Sequence, residues 1–377
     1  MRIVFASPPS YGHIYPFLPL AFACADLGHD VVVATAEPFL GRLPLPTVRS
    51  MPEGATLKQL RDLTLRNHPE LQTGTVEAMY QFGGRMFGET LPRVVAPVLI
   101  EEFSRAKPDL VVYECCDIGA AVAADVLGVR AIPYGTGAAT DMFRNWHRAA
   151  VADLRDLWRG REPSDLASYP AGYLDPVPAS LYGELPLPPN RIAVRATGWS
   201  EPADLPAVLT GTALRQRVYV TLGTVSFGAV DVFRRAILEA AAHDVDVVVA
   251  AGPDGDPALL GELPGNVHVA RFLPQPEVLA RVDVIVHHGG AGTVLGALEH
   301  GVPQLVLPQG ADQPFNAELV ARAGAGRRLA NDEQPPGAIG AAVGALLADG
   351  PERATARMFA WEMAALPGPE ELAAGLG

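Results

Sequence analysis

The stretch Asp283–Asn316, DVIVHHGGAGTVLGALEHGVPQLVLPQGADQPFN, decides the fold of this chain. It opens on the apolar run Val284-Ile285-Val286. Two histidines, His287 and His288, and a glycine cluster follow, then a helical pattern, a second apolar run, and finally Asp312 and Gln313. That order spells strand, anion-binding turn, helix, strand and polar loop. A helix that starts among glycines leaves its first backbone N–H groups without intrahelical acceptors and carries partial positive charge at that end. It can therefore hold a diphosphate without lysine or arginine. Gly290, Ala291, Gly292 and Thr293 are the residues placed to do so. Asp312 and Gln313 fall past the next strand on the same sheet edge, where they can grip hydroxyls of whatever the diphosphate carries. The combination points to a nucleotide sugar.

Outward from this stretch the chain alternates strands and helices in two blocks. RIVFA, DVVVAT, DLVVY and VRAIPY are the strands of the first block, with helices expected over Leu18 to Leu27 and Ile118 to Leu127. VYVTL, DVVVAA, VHVARF, VIVHH and PQLVLP are those of the second. Such alternation predicts an α/β fold of two Rossmann-like, doubly wound parallel sheets. Residues 1–198 form the first domain in this reading, 199–213 a linker, 214–352 the second domain, and 353–377 a terminal helical segment bent at Pro367 to Pro369. Glu53 to Glu101 and Thr136 to Tyr173 read as long irregular segments with helical pieces. Scattered through them are Met79, Tyr80, Phe82, Met86, Phe87, Met142, Phe143, Trp146 and Trp158, residues suited to packing or, as a set above a sheet, to lining a pocket for a large apolar molecule.

Composition limits the partners. The chain has 377 residues, 49% hydrophobic and 19% charged, which suits two globular domains. A net charge of −13 disfavours nucleic acid and requires any phosphate to be held by local dipoles. Three cysteines, Cys24, Cys115 and Cys116, make no disulfide framework, so a reduced, cytoplasmic protein is expected. The prolines and glycine after RIVFA break up a superficial likeness to a signal peptide. No apolar run is long enough to span a membrane.

His13 follows the first strand directly, at the edge where open α/β sheets bind ligands, and imidazole, with an ordinary pKa of about 6.5, takes protons at neutral pH. Glu114 ends the strand DLVVY at the same edge, where a carboxylate can hold the ring and stabilise the imidazolium. Asp117 is a weaker candidate for that task. Thr224, after the first strand of the second block, is placed to contact phosphate. The acidic pairs at Asp244 to Asp246 and Asp254 to Asp256 read as solvated turns, and no cluster has metal-ligand spacing. Metal-independent chemistry is expected.

HHGGAGT followed by PQGADQPFNA, with PSYGHIYP near the N-terminus and LGT at Leu222 to Thr224, resembles the GT-B family 1 glycosyltransferases that include antibiotic and plant natural-product enzymes. The resemblance runs across essentially the whole chain. It is greatest to actinomycete enzymes that transfer deoxysugars from thymidine diphosphate (TDP) donors. It implies two domains facing across a cleft, the first binding acceptor and the second donor, with the terminal helix packing back on the first. It also implies an inverting transfer of a sugar from a TDP-sugar to a hydroxyl of a large apolar aglycone. His13 would be the base, assisted from the position of Glu114, where the family has aspartate. His288 would contact the diphosphate, Leu273 would bind the nucleobase through its main chain, and Asp312 and Gln313 would bind sugar hydroxyls. No cofactor beyond the donor substrate is implied, and either a monomer or a homodimer is compatible. Plant members carry a glutamate eight residues after the phosphate-binding histidine, where it holds both ribose hydroxyls; this chain has Gly296 there, which fits a deoxyribose.

Two other classes remain open. GAGTVLG, Gly290 to Gly296, is a loose variant of the dinucleotide fingerprint, so an NAD(P)-dependent oxidoreductase is an alternative. The other is a catalytically silent GT-B homologue that activates a partner enzyme, against which stands the joint presence of His13, Glu114, His288, Asp312 and Gln313.

Overall fold

A computed structural model describes residues 1–73, 75–221, 223, 230–252, 256–330 and 333–376, without the side chains of residues 76, 77, 79 and 80. The chain divides into two compact units. One comprises Met1–Val177, Glu184–Val194 and Pro367–Gly377; the other comprises Pro178–Gly183 and Arg195–Leu366.

The first unit is built on seven strands: β1 (Arg2–Ala6), β2 (Asp30–Thr35), β3 (Thr47–Arg49), β4 (Leu110–Glu114), β5 (Arg130–Tyr134), β6 (Tyr173–Asp175) and β7 (Arg191–Ala193). They pair in parallel in the order β3-β2-β1-β4-β5-β6-β7. Every residue of β4 is buried, as parallel strands covered by crossover helices must be. Helices Leu91–Ala106 and Ile118–Leu127 pack on each other, and the terminal helix Pro369–Gly375 packs on helix Leu18–Asp26 within this unit.

The second unit has six parallel strands, β8 (Gln216–Thr221), β9 (Val245–Ala250), β10 (Val267–Ala270), β11 (Val284–His287), β12 (Gln304–Val306) and β13 (Gly326–Arg328), in the order β10-β9-β8-β11-β12-β13. Helices Val230–Ala241 and Ala338–Leu347 contribute Phe233, Ile237, Ile339 and Val343 to one apolar core with Val218, Val247 and Val286. Helix Pro351–Ala364 packs on helix Ala291–Glu299 in this unit, so the PGP bend divides the terminal segment between the two units.

Both sheets are wound outward in two directions from their middle. The reversal lies between β1 and β4 in the first and between β8 and β11 in the second. At such a point the two loops leaving the strand ends part, opening a crevice that side chains from both can line. His13 and Glu114 follow or end the strands of the first reversal; His287 and His288 end or follow one strand of the second.

Four strands escape the sequence reading: β3, β6, β7 and β13, each three residues long. Three residues are too few for a periodic pattern. β7 even lies at the end of a proline-rich stretch that reads as an approach to a linker. It is fixed to β6 by Arg191, whose Nε donates to buried Asp175 at 2.6 Å. Glu53 to Glu101 is also more regular than expected. Helix Leu57–Asn67 opens with a capping box of Thr56 and Gln59, and helix Val76–Arg85 runs through a π-helical turn, Met86–Thr90, into helix Leu91–Ala106.

Candidate active site

In the first unit, β1 delivers the chain to Ser7-Pro8-Pro9, and a short helix, Tyr11–Ile14, carries His13. His13 Nδ1 lies 2.9 Å from Glu114 Oε2; the histidine side chain is 25% exposed and the carboxylate is fully buried. Glu114 is held from every side. Thr136 Oγ1 donates to Oε1 at 3.1 Å, Cys115 Sγ donates to Oε1 at 3.2 Å, and the Cys116 N–H donates to Oε2 at 3.1 Å. Burial pushes this carboxyl's pKa up, yet the charge and hydrogen bond of His13, with the bonds from Cys115 and Thr136, outweigh it. The net pKa lies below the ordinary value, so a buried anion persists at neutral pH.

Asp117 does not reach the histidine's role. One of its oxygens accepts the Ala120 N–H at 3.3 Å as the N-cap of helix Ile118–Leu127, and the other is buried without a hydrogen bond. Burial, then the neighbouring Glu114 charge, raise its pKa to about 7. Glutamate therefore spans from the strand end to His13, and the aspartate three residues on works as a cap.

An aromatic wall stands beside the dyad. The Phe87 ring centroid is 5.8 Å from that of His13, Phe87 stacks on Trp146 at 5.8 Å and 25°, and Phe143 meets Trp146 edge-on at 5.1 Å. Trp146 reaches this place because glycines face it: a Cβ on Gly84 would lie 3.0 Å from its Nε1. All three rings are half-buried. Met86 and Trp158, by contrast, are core residues, and the side chains of Met79 and Tyr80 lie outside the described set. Thr136, Cys115 and the Cys116 N–H were missed in the sequence. Thr136 sits two residues past β5, the parallel neighbour of β4, and that adjacency was the available signal.

The second unit's crevice is built differently. Helix Ala291–Glu299 begins at Gly290, which supplies no side-chain cap, so its first N–H groups are left to a ligand or water. His287 is a packed strand end: its Nδ1 accepts the Gly289 N–H at 3.1 Å, and its Nε2 donates to Gln304 at 2.9 Å. Burial first, then His288, hold its pKa down at about 3. His288 is 8% exposed, its pKa lowered by burial to about 4, and its Nδ1 has no hydrogen-bond partner among the described residues. A buried ring nitrogen without a partner costs about 1–3 kcal/mol unless a ligand supplies one. Its ring lies so close to two glycines that a Cβ would fall 2.4 Å from it at Gly223 and 2.5 Å at Gly290.

Thr293 is buried and its hydroxyl donates to Gln275 at 3.3 Å. The Leu273 side chain is buried in a core with Val278 and Leu279. Asp312 is the N-cap of helix Gln313–Arg322, at a loop where Ala311 adopts a left-handed φ of 53°. Asn316 Nδ2 ties Asp312 Oδ2 at 2.8 Å to the Gly289 carbonyl at 2.9 Å, so the polar loop is fastened to the glycine turn. Gln313 is buried, and its Oε1 accepts the N–H groups of Gln309 at 2.8 Å and Gly310 at 3.1 Å. That carbonyl shapes the loop. Thr224 and Leu222 lie outside the described residues. Of the acidic pairs, Asp244 binds Arg215 and Asp246 meets His268, Asp256 caps a turn, and Asp254 lies outside the described residues. Among the described residues no helix is long and apolar enough to cross a membrane.

Comparison with known proteins follows the same lines. Residues 234–376 match the family described as the erythromycin biosynthesis protein CIII-like, C-terminal domain. The L-demethylnoviosyl transferase of Streptomyces niveus is 33% identical over 385 residues, spanning 100% of this chain and 97% of that protein. Elloramycin glycosyltransferase ElmGT of Streptomyces olivaceus is 31% identical, spanning 100% and 97%. The crystal structure of the glycosyltransferase SnogD from Streptomyces nogalater superposes with a TM-score of 0.80 at 28% identity, covering 100% of this chain and 98% of that one.

Proposed function

This chain belongs to the GT-B glycosyltransferases of natural-product pathways, and from that premise we propose that it moves a deoxysugar from a TDP-sugar to a hydroxyl of a large apolar aglycone with inversion at the anomeric carbon. The observation that carries the mechanism is the 2.9 Å contact of His13 Nδ1 with buried Glu114. With Nδ1–H held by the carboxylate, the neutral ring presents Nε2 as its basic nitrogen. Nε2 takes the acceptor's proton as the acceptor oxygen forms its bond to the anomeric carbon, and the bond from that carbon to the diphosphate oxygen breaks. Glu114, kept anionic, stabilises the imidazolium that results.

The leaving diphosphate gains charge, and this chain meets it with dipoles: the N–H groups opening helix Ala291–Glu299 and a neutral His288 whose ring has an unmet hydrogen-bonding nitrogen. Asp312, fixed by Asn316, is the carboxylate offered to sugar hydroxyls. Phe87 and Trp146 give the acceptor an aromatic face beside the base.

The thymidine preference rests on residue 296. A Cβ there would lie 3.1 Å from Leu279 Cδ1 and 3.5 Å from Gln275 Nε2, so an apolar group and an amide occupy the surroundings where a ribose-binding carboxylate would have to fit. Thermal unfolding in the presence of thymidine, uridine and guanosine diphosphates tests the donor. The largest upward shift is expected from thymidine diphosphate, and an equal or larger shift from uridine diphosphate overturns the assignment. The anomeric configuration of product against donor, read by NMR, tests inversion.

A further inference from the structure

Sequence spacing shows no metal site, because spacing searches see only ligands that are neighbours along the chain. Folding brings together ligands from two separated loops. A ring nitrogen of His13, a Glu114 carboxylate oxygen and Cys116 Sγ all lie within 4.8 Å of one another, the only such group of three among the described residues, and Nδ1 is the nitrogen that meets Glu114. We propose that His13, Glu114 and Cys116 form a zinc-binding site whose occupation switches the enzyme off.

The donor set selects the ion. Imidazole, carboxylate and thiolate together suit zinc, whereas magnesium and calcium take oxygen ligands. The geometry is within reach. Zinc bonds of about 2.0–2.3 Å at tetrahedral angles place ligand atoms roughly 3.3–3.6 Å apart, so the contacts need adjust by only about 1 Å. Two of the three ligands are already fixed: Glu114 by Thr136, Cys115 and the Cys116 N–H, and Cys116 by burial at 6% exposure. The side chain of His13 is the exposed member, at 25%, and gives the ion its entry and a fourth position for water.

The consequence follows from counting protons. The zinc ion takes the place of the proton between Nδ1 and Glu114, and that single imidazole proton moves to Nε2. The Cys116 thiol releases its proton to solvent on becoming a thiolate ligand. A ring metallated on Nδ1 and protonated on Nε2 has no lone pair left to accept the acceptor's proton. The inhibitory consequence rests on reading His13 as the base; the binding of metal does not.

Cobalt(II), which takes zinc's place and gives a near-ultraviolet charge-transfer band when bound to thiolate, is the direct probe on the metal-stripped full-length protein. A band that saturates at one equivalent and is lost on adding zinc is expected. It should persist in Cys115→Ser and vanish in Cys116→Ser. Zinc should inhibit glycosyl transfer reversibly, with chelator restoring it. Loss of even an outer-shell partner weakens metal affinity about 10- to 100-fold, so Cys116→Ser should need at least tenfold more zinc to halve its own zinc-free rate. Absence of the band in the unsubstituted protein overturns the proposal even if Cys116→Ser fails to fold. So does a band that depends on Cys115 in place of Cys116, or equal zinc inhibition with and without the Cys116 thiol. A normally active His13→Ala would instead overturn the base assignment and leave the cobalt band to stand.

Discussion

The crevices at β1/β4 and β8/β11 share a topology and differ in electrostatics. In the first, the neighbouring strand supplies Glu114, a buried carboxylate kept charged by His13, Cys115 and Thr136. In the second, the neighbouring strand supplies Gln304, a neutral amide, and both histidines stay uncharged. On the proposed function, one strand order would serve a proton acceptor in one unit and a dipolar anion cradle in the other. Burial keeps both histidines of the second crevice uncharged, whereas in the first a buried carboxylate faces the ring of a partly exposed histidine.

The largest effect should come from removing the base. His13→Ala is expected to slow transfer by about 10²- to 10⁴-fold while thymidine diphosphate binds as before. A rate within a few fold of the parent, measured under saturating donor, breaks the contrast between the two crevices. Glu114→Gln makes the first crevice resemble the second by replacing the carboxylate with an amide. It should lower kcat by about 10²-fold with little change in KM for donor, since only the imidazolium formed during reaction loses its partner.

Gly290→Ala probes the second crevice alone. Its φ of −60° accepts alanine, so the sole new cost is a Cβ placed 2.5 Å from the His288 ring. Displacing that ring should weaken diphosphate binding by about tenfold, worth roughly 1.4 kcal/mol, and calorimetric titration with thymidine diphosphate reads it.

The smallest effects are in pH dependence, where the crevices should oppose each other. Asp117 has its pKa raised from 3.8 to about 7 by burial and the Glu114 charge, so the folded state keeps a proton that the unfolded chain has released between those values. Stability contributed by that proton is present below about pH 4 and is lost as pH rises to 7. Asp117→Asn should remove this downward slope. His288 has its pKa lowered by burial to about 4, so the unfolded chain holds a proton that the folded ring refuses, and its contribution rises with pH from about 4 to 6.5. His288→Gln should remove that rise. Melting temperatures between pH 4 and 8 that shift in the same direction for both variants would contradict the assignment.

Legibility in the sequence followed length and locality. The apolar runs of β1, β2, β4, β8, β9 and β11 announced themselves because each holds four or more buried residues in a row. The three-residue strands β3, β6, β7 and β13 did not, since their place is fixed by partners such as Asp175 and Arg191 that lie 16 residues apart. Likewise, His13 and Glu114 were readable as strand-end residues, but the grip of Thr136 on Glu114 spans 22 residues. The place of Gln313, whose carbonyl ties down Gln309 and Gly310, also depends on the loop's closure.

By itself the sequence determined two doubly wound blocks, a glycine-opened helix after a strand of the second, and a histidine at the first sheet's edge, because these depend on residue type and short spacing. Only the tertiary structure decided that Glu114 and not Asp117 meets His13, that Trp146 comes up against Gly84 near His13, and that Cys116 comes within 4.8 Å of His13 and Glu114. Those relations join atoms distant along the chain. They are fixed by strand register and side-chain reach, quantities that no local pattern encodes.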